Sequence, residues 1–215
     1  MGNSFENPPF YFKYFEKKFC KKADYITVPI EEAKKAYYSE FTDKIKVIPQ
    51  GFDFSNIKLY EGPKVYNQIT FAFTGMVYKD LRDPSEFLEY LSTVDLNFKF
   101  IVYTKDTLIF PKYKDKLKDK LEIKNYILRE ELIFELSKLD FLINFNNRES
   151  VQLPSKLIDY ALTNRPILSI DFNNIDIQLI NTFFNGDYSG QTKVNLENYK
   201  IKNIANKFVN LVNND

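Results

Sequence analysis

Residues 150–170 read SVQLPSKLIDYALTNRPILSI, and this stretch decides the fold. It begins as a loop, continues as a helix opened by Pro154 and Ser155, and ends in a buried strand from Pro166 to Ile170, with no glycine-rich turn between them. A helix starting here makes the backbone amides around Ser155, Lys156 and Leu157 its positive end, where a phosphate would be stabilised. The carboxylate of Asp159 follows one turn later.

Outward from this helix and strand, the same alternation continues. Apolar runs at residues 69–75 (ITFAFTG), 98–104 (FKFIVYT), 121–127 (LEIKNYI), 141–146 (FLINFN) and 166–170 (PILSI) read as strands. Between them PSEFLEYLSTV, KYKDKLKDK, REELIFELSKL and PSKLIDYALT read as helices, the third with Leu132, Ile133, Leu136 and Leu139 on one face. Strands that are apolar throughout, alternating with helices of about three turns, predict an α/β domain whose parallel sheet is covered on both faces. DIQLINTFFNGD and YKIKNIANKFVNLV add two helices at the end. Upstream, DYITVP and KIKVIPQG are strands flanking a helix, IEEAKKAYYSEF, and residues 52–67, with Gly62 and Pro63, form a connector. The expected division is residues 1–50 and residues 51–215. No internal repeat stands out, and an aromatic content of 17% predicts well-filled packing.

Residues 8–22, PPFYFKYFEKKFCKK, predict a basic amphipathic helix with Phe12, Phe15 and Phe19 on one face and Lys13, Lys17, Lys18 and Lys21 largely elsewhere. Its plainest reading is a helix that packs its aromatic stripe on the rest of this protein. The functional reading is a surface for a partner or for a membrane.

Composition removes several chemistries. With 30 Lys and Arg against 29 Asp and Glu, the net charge is +1, and no global field draws the chain to nucleic acid or to an acidic substrate. One cysteine, Cys20, excludes an internal disulfide framework and a multi-cysteine zinc site, and fits a reducing compartment. Histidine is absent, which removes Ser-His and Cys-His nucleophiles, histidine metal ligands and the usual near-neutral proton shuttle. Chemistry must then come from carboxylates, lysines, arginines and oriented amides. There is no apolar run of membrane-spanning length and no signal peptide, so the expected location is the cytoplasm.

In an open parallel sheet, ligands bind beyond the carboxyl ends of the strands. After the first strand of the main run comes TGMVYKDLRDP, where Gly75 lets backbone approach a ligand closely and Lys79 and Arg82 suit a diphosphate. A solvated surface loop is the competing reading. After the fourth comes NNRESVQLPSK, in which Asn146, Asn147 and Glu149 could bind several hydroxyls at once; a polar turn capped by Ser155 is the alternative. After the third, Tyr126, Ile127 and Leu128 could present main-chain groups and an apolar wall to a flat base.

Three segments in order, ADYITVPIEEAKKAYYSEFTDKIKVIPQGFDF, FAFTGMVYKDLRDPSEFLEYL and FLINFNNRESVQLPSKLIDYALTNRPIL, resemble the C-terminal half of glycosyltransferases with the GT-B fold, especially the retaining family 4 type. The resemblance spans nearly the whole chain. It implies a Rossmann-like, doubly wound parallel sheet, the nucleotide-sugar-binding domain, preceded by a short remnant of the acceptor-side domain. It implies a donor that is a UDP-sugar or a GDP-sugar, with no metal and no resident cofactor. Asp159 matches the second acid of the family's acid, seven residues, acid motif and would bind the ribose hydroxyls. Lys79 and Arg82 match the basic residues that hold the diphosphate, helped by the amides at Ser155 and Lys156.

Two departures stand beside the match. The position of the first acid, which contacts the donor sugar in the family, is Val151, and the nearest acid, Glu149, lies two residues earlier. Only about fifty residues precede Gly51, too few for the family's complete N-terminal domain. The expected function is transfer of a sugar from a nucleoside diphosphate sugar, inactive without an acceptor half that a separate polypeptide could supply. Residues 8–22 would then dock that partner, or touch the inner face of the membrane. The alternatives are a non-catalytic nucleotide-binding partner subunit and a nucleotide-sugar epimerase-like enzyme, the latter disfavoured by the absence of histidine.

Overall fold

The structure is a computed structural model that describes residues 9–77, 83–105, 108–146, 155–171 and 174–213. In chain order its elements are α1 (Phe10–Lys22), β1 (Ile26–Val28), two 3-10 turns (Glu31–Ala36 and Ser39–Lys44), β2 (Ile45–Val47), β3 (Ile69–Thr74) and α2 (Ser85–Thr93). There follow β4 (Phe98–Tyr103), α3 (Ile109–Lys112), α4 (Lys114–Leu117), β5 (Leu121–Lys124), α5 (Arg129–Leu136), β6 (Phe141–Phe145), α6 (Ser155–Leu162), β7 (Ile167–Ile170), α7 (Ile177–Phe184) and α8 (Ile201–Asn213). The contacts group these into two units: a larger one within residues 55–194, and a smaller one built from residues up to 54 together with residues from 195 onward.

In the larger unit the five apolar runs form one sheet in the order β5-β4-β3-β6-β7, and every neighbouring pair is parallel. The chain lays down β3, β4 and β5 in one direction, then crosses back past β3 to add β6 and β7. Because side chains alternate along a strand, each face has its own character. Phe71, Phe73, Phe98, Phe100, Phe141 and Phe145 point to one layer, closed by Phe87 and Leu91 of α2, Phe110 of α3 and Phe183 and Phe184 of α7. Phe71 is its hub, stacked on Phe141 with ring centres 4.7 Å apart and planes 5° from parallel. Ala72, Ile101, Tyr103, Leu142 and Ile167 face the other layer, with Leu136 of α5 and Leu157 and Tyr160 of α6. This is the doubly wound arrangement expected from the sequence. The expected apolar face of α5 is present too: Ile133, Leu136 and Leu139 are buried, and Leu132 packs beside them.

The turn from α6 to β7 needs no glycine because Asn164 takes the left-handed conformation at φ 57°, which asparagine tolerates at a helix end. Two expected helices are broken. IEEAKKAYYSEF is not one α-helix: its two 3-10 turns are separated by extended backbone at Tyr37 (φ −98°, ψ 165°) and Tyr38 (φ −70°, ψ 134°). Neither turn buries a residue, so no apolar face stabilises a continuous helix. KYKDKLKDK stops as an α-helix at Leu117, followed by a 3-10 turn that begins at Lys118 with φ 49°.

In the smaller unit β1 and β2 form a two-stranded parallel sheet, Ile26 opposite Ile45 and Val28 opposite Val47. Phe52 N–H donates to Tyr199 O (2.8 Å) and Ile201 N–H donates to Phe52 O (2.9 Å), a parallel bridge that brings α8 into this unit. The expected division falls at residue 51, and by contacts residues from both ends of the sequence group in this smaller unit. Its buried apolar residues are Cys20, Val28, Ile45, Ile48 and Ile204. The aromatic stripe of α1 does not pack as the plainest reading expected: Phe12, Phe15 and Phe19 are exposed, and the buried residue of the helix is Cys20.

Candidate functional site

The sheet opens between β3 and β6. β3 pairs with β4 all the way to Thr74 opposite Tyr103, but with β6 only at Phe71 opposite Phe141 and Ala72 opposite Leu142. Beyond Ala72 the backbone of β3 needs another partner on that side, since a buried N–H is rarely left unbonded. Tyr160 of α6 supplies it: its hydroxyl oxygen accepts the Thr74 N–H at 2.8 Å and lies 3.2 Å from Thr74 Oγ1. Tyr160 is completely buried, and this burial pushes its phenol up to about 12, against a smaller opposite pull from the bonds to Thr74. It is therefore a neutral strut at neutral pH, fixing α6 against the point where the strand order reverses. In α/β sheets that reversal forms the ligand crevice.

Gly75 follows at once. Its φ of +116° is one that side chains rarely adopt, its N–H is held by Tyr103 O at 2.9 Å, and a Cβ built there would meet nothing within 4 Å. The backbone is thus bent by the sheet and left open above. α6 returns from the carboxyl end of β6 to the start of the parallel β7, so its N-terminus, at Ser155, lies on the same edge of the sheet as Gly75. The Lys156 ammonium lies 4.5 Å from the centre of the Phe73 ring and 6.0 Å from that of Tyr160. Phe73 belongs to the aromatic layer and Tyr160 to the opposite one, so Lys156 bridges the two at the sheet's open end.

Asp159 is not a solitary carboxylate. Its Oδ1 accepts a hydrogen bond from Arg129 Nε at 2.8 Å, and Arg129 Nη2 lies 2.6 Å from the same oxygen, an ion pair between the first residue of α5 and the second turn of α6. The contact engages one oxygen of the carboxylate, Oδ1. Tyr126 and Ile127 follow β5, on the same edge of the sheet but beyond β4. Ile127 packs into the layer under α6, whereas Tyr126 is exposed, with Lys105 Nζ 5.3 Å from its ring centre. Lys79, Arg82 and Glu149 lie outside the described residues. Of the expected site, Gly75, the start of α6 at Ser155 and Lys156 lie at the β3–β6 opening, whereas Asp159 is paired with Arg129, two residues after Ile127, and Tyr126 is exposed on the β5 side.

Three features were missed by sequence reasoning. In the sequence, the helix that Arg129 opens shows only its apolar face. Tyr160 reads as an ordinary residue of the PSKLIDYALT helix. Asn144, a buried polar residue in the otherwise apolar FLINF strand, donates to Ser169 Oγ (3.1 Å) and Asn146 Oδ1 (3.0 Å), and Ser169 Oγ also meets Thr192 Oγ1 at 2.7 Å. The break in the apolar run at position 144 was the available signal. A separate apolar groove of about 600 Å³ lies within the smaller unit, between Val28, Ile48, Ile204 and Phe208; none of the expected site residues lines it.

No protein-family model matches this chain, and no curated protein sequence matches it. Solved structures do. A glycosyltransferase from Rickettsia africae ESF-5 superposes with a TM-score of 0.65 at 13% identity, over 96% of this chain and 67% of that one. HepE of Anabaena in complex with UDP gives 0.63 at 9% identity, over 90% and 64%. The lipopolysaccharide outer core galactosyltransferase WaaB gives 0.58 at 13% identity, over 89% and 62%. This chain spans 62% of WaaB and 48% of the S. aureus TarM structure, which it also resembles. With its five parallel strands wound in both directions from β3, the chain has the Rossmann-like fold of one half of a GT-B glycosyltransferase.

Proposed function

We propose that this chain is the donor-binding half of a glycosyltransferase, of the retaining family 4 type, that takes its sugar from a UDP-sugar or a GDP-sugar. The observation that carries this reading is the opened β3–β6 edge, where a glycine with nothing above it meets the N-terminus of α6. HepE, which shares the fold, has been solved with UDP bound. In this reading the diphosphate approaches the backbone at Gly75 and is held by the amides of Ser155 and Lys156 at the positive end of α6. Asp159, paired with Arg129 through Oδ1, accepts the ribose hydroxyls, and the base lies toward Tyr126 and Ile127. Lys79 and Arg82 meet the negative charge that grows on the diphosphate as the glycosidic bond breaks, which is electrostatic stabilisation of the leaving group. Glu149 serves the sugar hydroxyls. Transfer requires an acceptor-side half in addition, a reading supported by the few buried apolar residues of the smaller unit.

Calorimetric titration of the chain with UDP, GDP, ADP and CMP tests the proposal. Binding of UDP or GDP, lost in Asp159→Ala and in Arg82→Ala, is the expected result. If none of the four bound, or if both variants bound as the parent does, the donor-site reading would be refuted.

A further inference from the structure

α1 has two unlike faces, and its contacts fix which one is turned out. On the inner side Cys20 is buried, the Glu16 carboxylate accepts a hydrogen bond from the Tyr38 hydroxyl at 2.9 Å, and Lys17 Nζ lies 3.0 Å from Glu40 Oε1. Lys44 Nζ closes the C-terminal end by donating to Ala23 O (2.7 Å) and Lys21 O (3.0 Å). With positions 16, 17 and 20 held inward, the stripe at 12, 15 and 19 points away: Phe12 is 52% exposed, Phe15 59% and Phe19 81%. Tyr11 and Tyr14 are exposed beside them, and Lys18 and Lys22 are exposed among them. The helix carries five lysines and one acid, although the whole chain nets only +1, so positive charge is concentrated on this one element.

A face meant for a protein core would bury the rings and keep ammonium groups away from their rim. Here rings and ammonium groups share one surface, which suits the boundary of a bilayer: aromatic rings enter at the headgroup level while lysines reach the phosphates. Among the described residues no helix is long and apolar enough to cross a membrane, and α1, with 13 residues, spans roughly 20 Å. We infer that α1 lies flat on an anionic phospholipid surface, holding the protein there through Phe12, Phe15, Phe19 and the exposed lysines. This goes beyond the donor-site reading and does not depend on it, because no nucleotide takes part in the contact.

Co-sedimentation of the full chain with vesicles of phosphatidylcholine alone, and of phosphatidylcholine mixed with phosphatidylglycerol, tests the inference. The chain is expected to bind the mixed vesicles selectively and to be released by salt. The double variant K18Q/K22Q should lose about fivefold in partitioning per lysine. The variant F12S/F15S/F19S should lose binding with its melting temperature unchanged; if it does not fold, the lysine variant decides alone. Equal binding to both vesicle types, or a lysine variant that binds like the parent, would overturn the inference. So would light scattering that shows a dimer which the aromatic variant converts to a monomer, since the stripe would then belong to a second copy of this chain.

Discussion

Replacing Tyr160 with phenylalanine removes one oxygen from the interior of the larger unit, and that oxygen holds the last residue of β3. The ring stays, so the apolar contacts of α6 are retained, and the loss falls on hydrogen bonding. The Thr74 N–H, bonded at 2.8 Å, is left without its acceptor in a buried setting, which costs about 1–3 kcal/mol. Equilibrium urea denaturation at neutral pH should place the Tyr160→Phe variant about 2 kcal/mol below the parent. A second measurement checks the cause. A phenol whose folded pKa is raised from 10 to about 12 contributes stability that is complete below the unfolded value and is lost as pH rises through the folded value. Between the two, the unfolded chain has released a proton that the folded chain still holds. Each pH unit therefore costs about 1.4 kcal/mol, or about 3 kcal/mol over the interval. The variant lacks this titration, while the other tyrosines contribute equally to both proteins. The parent's advantage should thus shrink steadily above about pH 10 and vanish near the upper end. A gap below about 0.5 kcal/mol at neutral pH, or one that stays constant into the alkaline range, would refute the strut described for Tyr160.

Two further outcomes follow from the same edge of the sheet. Gly75→Ala and Gly75→Ser should each destabilise by about 1–2 kcal/mol in thermal or chemical unfolding, and by similar amounts, because the cost lies in the positive φ and not in crowding. The partly exposed pair of Arg129 and Asp159 should show a coupling of about 1 kcal/mol in a double-mutant cycle with Arg129→Gln and Asp159→Asn, read by urea denaturation.

The sheet was legible because its strands are apolar along their whole length. FAFT, FKFIVY and FLINF need burial on both faces, and helices with one apolar stripe, such as α5, provide it. What local pattern could not supply was the partner across the fold. Arg129 reads as the start of a helix until Asp159, far along the chain, is brought to it. Tyr160 reads as core until the early end of the β3–β6 pairing shows which backbone group it serves. The roll of α1 is hidden from the sequence for a similar reason: aromatic rings suggest the buried side, but Tyr38, Glu40 and Lys44 hold the opposite side through polar contacts. The position of Gly75 after β3 followed from its place in the sequence alone; its open surroundings did not.

The bridge between Phe52 and residues 199–201 has a consequence for the order of assembly. β1 and β2 are made before the larger unit, whereas α8, which joins them in the smaller unit, is made after it. Between these events the whole larger unit is synthesised as consecutive strand–helix units with short-range neighbours, and it can condense around its phenylalanine cluster while the first strands wait. The smaller unit therefore closes after the larger one, and its first strands stay open to chaperones and to mispairing while the larger unit is made.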